Sequence, residues 1–213
     1  MTALSWALIV FFTVSAVNLY LQTEYTPQAL FAKKISKGFL MPTLCVVLFI
    51  GGWQPLLGAA LLFSTLGDIL LIGKTDKHFL LGLISFLVAH IGYCVYFYTL
   101  VDVNRVPIVM WGLVMVIAWY GVILFKGVGP ERMLRIGMPI YMLAIGGMIW
   151  LAMLNFQQKT DLASSMLLLG ALLFGSSDSV LAFRRIRGNK ILPESYVMFS
   201  YISGQCLIIL SQL

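Results

Sequence analysis

Charge is scarce in this chain. Only 10% of its 213 residues are Asp, Glu, Lys or Arg, while 61% are hydrophobic. A water-soluble domain of this length needs more charge to cover its surface, so lipid is the expected solvent. Histidine is scarcer still: His78 and His90 are the only two. Zinc sites take three or four ligands. Two scattered histidines, with Cys45, Cys94 and Cys206 all in apolar runs, supply no such set, which argues against a zinc-dependent membrane hydrolase and for no metal at all. The three cysteines read as small packing residues rather than a disulfide framework. No P-loop, G-x-S-x-G or dinucleotide fingerprint occurs, and no cofactor is expected. The first apolar run lacks a basic leader and an A-x-A site, so it reads as a retained span. The net charge of +6 does not mark a nucleic-acid binder, because the basic residues sit between apolar runs.

What the chain has in quantity is apolar runs of membrane-crossing length. A span needs about 17–25 mostly apolar residues. Eight segments qualify: about 3–21, 38–53, 55–73, 78–100, 106–125, 137–154, 163–183 and 195–213. Pro55, Pro107 and Pro193 stand at or just before helix starts, where a missing N–H is harmless. The expected fold is therefore an all-α, polytopic helical bundle of about eight transmembrane helices, forming a single domain over 1–213. Loops one, three, five and seven hold twelve of the fourteen basic residues, among them Lys33, Lys34 and Lys37 in the first and Arg184, Arg185, Arg187 and Lys190 in the last. The positive-inside rule places those loops in the cytoplasm and both termini on the non-cytoplasmic side.

Two carboxylates break the apolar runs, Asp68 in LLFSTLGDILLIG and Asp178 in LLFGSSDSVLAF. An aspartate at the centre of a span costs about 2.5–3.5 kcal/mol on the insertion scale, so it is rarely there without a role. Each stands about five residues before its span ends, on spans running in the same direction. They are expected at matching shallow depth on the cytoplasmic side, where both could face a common cavity. Gly58-Ala59-Ala60-Leu61-Leu62-Phe63 precedes the first and Gly170-Ala171-Leu172-Leu173-Phe174 the second, a hint of a four-plus-four parallel repeat.

Other polar side chains fall in the same half of the spans. Asn18, Lys37, Ser64, Ser177, Tyr201 and Arg184 are candidate substrate-binding residues, and His90 joins them near mid-membrane. Taken singly, each is more often an interhelical hydrogen-bonding or packing residue; for the aspartates, the bland alternative is an ion pair with a snorkelling base at the membrane edge. An intramembrane aspartyl protease also uses two membrane aspartates, but Thr65-Leu66-Gly67-Asp68 lacks the first glycine of its G-x-G-D motif. The stronger rival is a proton- or ion-coupled transporter of a small molecule or lipid, using the same two carboxylates.

The chain resembles the YhhN family, the lysoplasmalogenases. The resemblance lies in KKISKGFLMP, FSTLGDILL, LGLISFLVAHIGYCVYF and GALLFGSSDSVLAF, in that order, with Lys37-Gly38 standing where Lys-Pro is common. It implies a hydrolase that cleaves the alkenyl (vinyl) ether bond of lysoplasmalogens to a fatty aldehyde and a glycerophospho-ethanolamine or -choline. The partner it implies is a lysophospholipid substrate within membrane lipid, and the location is a bacterial inner (cytoplasmic) membrane. By motif, Asp68 and Asp178 are its catalytic candidates. Vinyl ethers are acid-labile: protonation of the β-carbon gives an oxocarbenium ion, which water captures. Two carboxylates can serve as acid and base, as in glycoside hydrolysis, and low dielectric suits a neutral carboxyl acid.

Overall fold

The computed structural model describes residues 2–73, 75–107, 110, 132–187 and 192–213. Among these there are seven α-helices and no strand. Helices α1 (Ala3–Leu21), α2 (Pro27–Gly52), α3 (Pro55–Leu71) and α4 (Asp76–Tyr98) precede a 3-10 turn at Val103–Arg105. Helices α5 (Arg132–Lys159), α6 (Leu162–Arg187) and α7 (Glu194–Leu210) follow it. Five stretches are long and apolar enough to cross a membrane: α1, α2, α4, Gly137–Lys159 of α5 and Leu162–Arg184 of α6. With the shorter apolar α3, they define a multi-pass membrane protein. Its outward faces suit lipid, with side chains such as Phe49 and Leu143 more than 60% exposed (69% and 64%). The span expected over 106–125 lies almost wholly outside the described residues.

The helix starts have local causes. Thr2 and Thr26 each turn a side-chain oxygen to an N–H three residues on, at Ser5 and Ala29, which satisfies a donor the helix leaves open. Pro27 and Pro55 sit in the first turns of α2 and α3. The Thr26-Pro27 start corrects one expectation. Lys33, Lys34 and Lys37 are not in a loop; they occupy the early turns of α2, which begins well before the apolar run at 38. Arg184 likewise lies on α6 rather than in the loop after it. A lysine or arginine keeps its head in a polar setting by extending a long stem along the helix, so a basic residue does not by itself end a helix.

The chain divides into two compact units, Met1–Tyr93 with Gln212–Leu213, and Cys94–Ser211. In the first, α2 packs along both α1 and α3. Helix α1 buries Ala7, Phe11, Ser15 and Asn18, and α3 buries Leu57, Ala60, Leu61, Ser64, Gly67 and Asp68. Both sets recur at three- and four-residue steps, the period of one helix face. Helix α4 comes close to α3 at Gly67, where an added Cβ would lie 2.7 Å from the Phe86 ring. In the second unit, α6 packs along both α5 and α7, and α7 is buried around most of its circumference.

Helix α6 opens on a reciprocal cap. Ser164 N–H donates to Asp161 Oδ1 at 2.7 Å, and Asp161 N–H donates to Ser164 Oγ at 3.0 Å, as in a capping box. The backbone N–H of Ser164, then its side chain, holds the Asp161 carboxyl below the ordinary carboxylate range. A carboxyl with a depressed folded-state value stabilises above its unfolded value, and that stabilisation is lost as pH falls through the folded one. Thermal unfolding in detergent should therefore show an acid loss in the wild type that Asp161→Asn, an uncharged residue of similar capping strength, does not share.

Candidate functional site

In the first unit the polar groups form a connected set. Asp68 is buried on α3, and the Lys37 ammonium on α2 stands 3.4 Å from its Oδ1. The lysine side chain is only 21% exposed, so the pair is largely removed from water. Ser64 lies one turn before Asp68 on the same buried face. From α1, Asn18 Nδ2 donates to Ser36 Oγ at 2.8 Å, beside Lys37 in sequence, and Asn18 Oδ1 accepts from Gln22 Nε2 at 3.2 Å. Polar groups of α1 thus meet α2, and α2 meets α3, at neighbouring residues. His90 is fully buried on α4, and its Nδ1 donates to the Phe86 carbonyl at 2.8 Å. That bond fixes the ring tautomer, and the same Phe86 rests against Gly67, next to Asp68.

In the second unit Asp178 is buried on α6, and the Tyr141 hydroxyl of α5 donates to its Oδ2. Its neighbour Ser177 turns instead to α7 and donates to the Val197 carbonyl at 2.9 Å. Tyr201 of α7 stacks at a tilt on Phe174 of α6, ring centres 5.6 Å apart. Arg184 is half-buried near the end of α6. Of the expected binding residues, the structure brings Lys37 directly to an aspartate and Ser64 to the same face. It ties Asn18, Ser177 and Tyr201 into contacts between helices.

Asp68 lies in the last turn of α3, whereas α6 continues more than two turns beyond Asp178, through its basic residues; the apolar stretch of α6 that suits lipid ends at Arg184. Tyr141 is the partner that sequence reasoning missed. It belongs to a buried stripe with Met138, Met142 and Ile145, and a tyrosine in such a stripe looks like packing. Gln22 was missed too, because it follows the apolar run of α1.

Removing one member of a largely buried ion pair leaves the other charge poorly compensated. Lys37→Met is expected to destabilise the protein by about 2 kcal/mol, less than the cost for a fully buried pair because the lysine keeps some water contact. The double variant Lys37→Met/Asp68→Asn should recover most of that loss in thermal unfolding, since it removes both charges.

A multi-pass helical membrane protein with a buried carboxylate in each of two units, one beside a lysine and one beside a tyrosine, is the class that fold and site define. The chain belongs to the YhhN family, whose family model matches residues 32–212. The matched stretch contains Lys37, Asp68, Tyr141 and Asp178 and begins after Asn18. No curated protein and no solved structure matches the chain.

Proposed function

We propose that this protein is a membrane hydrolase of lysoplasmalogen-type lipids, cleaving the alkenyl ether bond with Asp68 and Asp178 as its acid–base pair. The observation that carries the reading is the presence of two aspartates buried in apolar helices, in a chain of the YhhN family. Ionisable residues inside apolar helices are rare and mark functional sites by default.

The chemistry assigns a duty to each. Asp68, with the Lys37 ammonium at 3.4 Å, takes the ionised role, and Asp178 is the acid. Asp178 gives its proton to the β-carbon of the vinyl ether, and the π pair forms the new C–H bond. The resulting oxocarbenium ion is captured at its α-carbon by water, whose proton passes to Asp68. The hemiacetal then breaks its C–O bond to the glycerol oxygen. Asp68 protonates that oxygen, the hemiacetal O–H proton returns to Asp178, and both groups regain their starting state. The sum is ether plus water to aldehyde plus alcohol, with no other reactant. Lys33, Lys34 and Arg184 are the cations proposed to hold the lipid phosphate, which lysine and arginine bind through charge-assisted hydrogen bonds. Ser64, His90 and Tyr201 are proposed to border the lipid, in keeping with their burial.

The test is aldehyde release by the purified protein in detergent or liposomes. The substrate is a 1-alkenyl lysophospholipid, and the saturated 1-alkyl ether is the control, since it has no β-carbon to protonate. Release from the first and none from the second is expected. Uptake of solute into sealed vesicles with no aldehyde formed would instead favour the transporter reading.

A further inference from the structure

We infer that Tyr141 is a positioning residue for Asp178: its hydroxyl fixes which carboxyl oxygen carries the transferable proton and stabilises the carboxylate left behind. The inference rests on the assignment of Asp178 as the acid.

Tyr141 is 1% exposed on α5, and a buried phenol needs an acceptor for its proton. It finds one in Asp178 Oδ2. The approach of the two helices makes this contact possible. Gly175 lies about one turn before Asp178 on α6, and an added Cβ there would stand 2.8 Å from Ile149 Cδ1 and 3.0 Å from Ile145 Cγ2. Ile145 lies about one turn after Tyr141 on α5. The helices run in opposite senses past this point, so the contact of Gly175 with Ile145 puts Tyr141 level with Asp178. A bare backbone at Gly175 lets α5 come near enough for the hydroxyl to reach the carboxyl.

The consequence concerns the proton. In a protonated carboxyl, the oxygen that accepts a hydrogen bond is the carbonyl oxygen, and the proton sits on the other. Donation by Tyr141 to Oδ2 therefore places the acid proton on Oδ1. When that proton leaves for carbon, the O–H bonding pair stays with the carboxylate and the charge spreads over both oxygens. The Tyr141 bond becomes charge-assisted, about twice as strong as a neutral one. An interaction that strengthens toward the transition state speeds the chemical step rather than tightening substrate binding. A tyrosine that merely ties α5 to α6 would support the fold without that effect.

Tyr141→Phe removes the hydroxyl and keeps the ring. Two measurements on the full-length protein test the inference. For aldehyde release, kcat should fall by about 10–100-fold, somewhat less than the loss of an oxyanion-hole donor, with KM changed by no more than about threefold, as for an interaction made in the transition state. In infrared spectra, the carboxylic-acid C=O band that disappears in Asp178→Asn should move to higher frequency in Tyr141→Phe, because the carbonyl has lost a donor. Unchanged kcat in an active preparation overturns the inference. An unmoved band overturns it even if kcat falls, since the loss is then structural. Absence of any band removed by Asp178→Asn overturns it as well, because Asp178 then carries no proton. A wild-type protein that releases no aldehyde refutes the functional reading instead. The infrared comparison then decides alone whether Tyr141 sets the state of Asp178.

Discussion

Asparagine at either Asp68 or Asp178 is expected to lower kcat for aldehyde release by about 10²–10⁴-fold, the usual worth of a general acid or base. The substitution preserves size and removes the titrating oxygen. At position 178 the amide oxygen can still accept from Tyr141, so the contact between α5 and α6 survives and stability should barely change. At position 68 the amide no longer answers the charge of Lys37, and a modest fall in thermal midpoint should accompany the loss of turnover. KM should change little in either case, since neither carboxyl is asked to bind the lipid. The double variant carries the most information. Residues that act as a unit are strongly non-additive, so the pair should be no more than about tenfold slower than the worse single variant. Independent contributions would multiply. If either single variant retains wild-type turnover on folded protein, the two-carboxylate chemistry is wrong.

These two aspartates were legible in the sequence for a simple energetic reason. A carboxyl inside an apolar run stands out against a background that excludes charge, and no packing argument accounts for it. Their partners were legible to different degrees. Lys37 carries a charge of its own beside an apolar run, and it drew notice as a candidate. A charge beside an apolar run suggests a loop, whereas the Thr26-Pro27 cap starts α2 ten residues before Lys37. Tyr141 gave no signal: a phenol among Met138, Met142 and Ile145 becomes a hydrogen-bond donor only when α5 lies against α6. That approach depends on Gly175, distant in sequence.

The helices themselves were readable where the apolar period and the end signals agree. Helix α1 covers the expected 3–21, and α3 starts at the expected Pro55. Helices α2, α5 and α6 run longer than their apolar cores. Hydropathy locates the part of a helix that suits lipid, while backbone hydrogen bonding carries the helix on beyond it, in α2 and α5 even past an internal proline, Pro42 and Pro139. Interhelical contact distance is a further quantity that hydropathy does not encode, because it depends on single small residues on facing helices.

The clearest such contact gives the second large effect. Gly204 on α7 faces α6 so closely that an added Cβ would stand 2.6 Å from the Phe174 backbone nitrogen, 2.9 Å from the Gly170 carbonyl oxygen and 3.0 Å from Phe174 Cα. The reciprocal position behaves alike, with a Cβ on Gly170 falling 2.8 Å from the Gly204 carbonyl oxygen and 2.9 Å from the Ile208 nitrogen. In lipid, where apolar surface gains little by leaving its solvent, close packing of small residues supplies much of the association between helices. The atoms in the way are backbone, so no rotamer change relieves the clash, and α6 and α7 must separate along their length. Gly204→Ala is expected to cost about 2–3 kcal/mol, the upper range for overpacking, and Gly204→Leu to prevent recovery of folded protein. Separation of α6 from α7 also strains the Ser177 bond to Val197 and the stacking of Tyr201 on Phe174, next to Asp178, so Gly204→Ala should lose turnover as well as stability. Gly38 on α2 is the control. It has no heavy atom within 4 Å of an added Cβ, and Gly38→Ala should leave the thermal midpoint unchanged or slightly raised, since alanine favours a helix over glycine by about 1 kcal/mol. Equal behaviour of the two variants would mean that α6 and α7 admit a methyl group at Gly204 without cost, and that their close contact does not hold the fold.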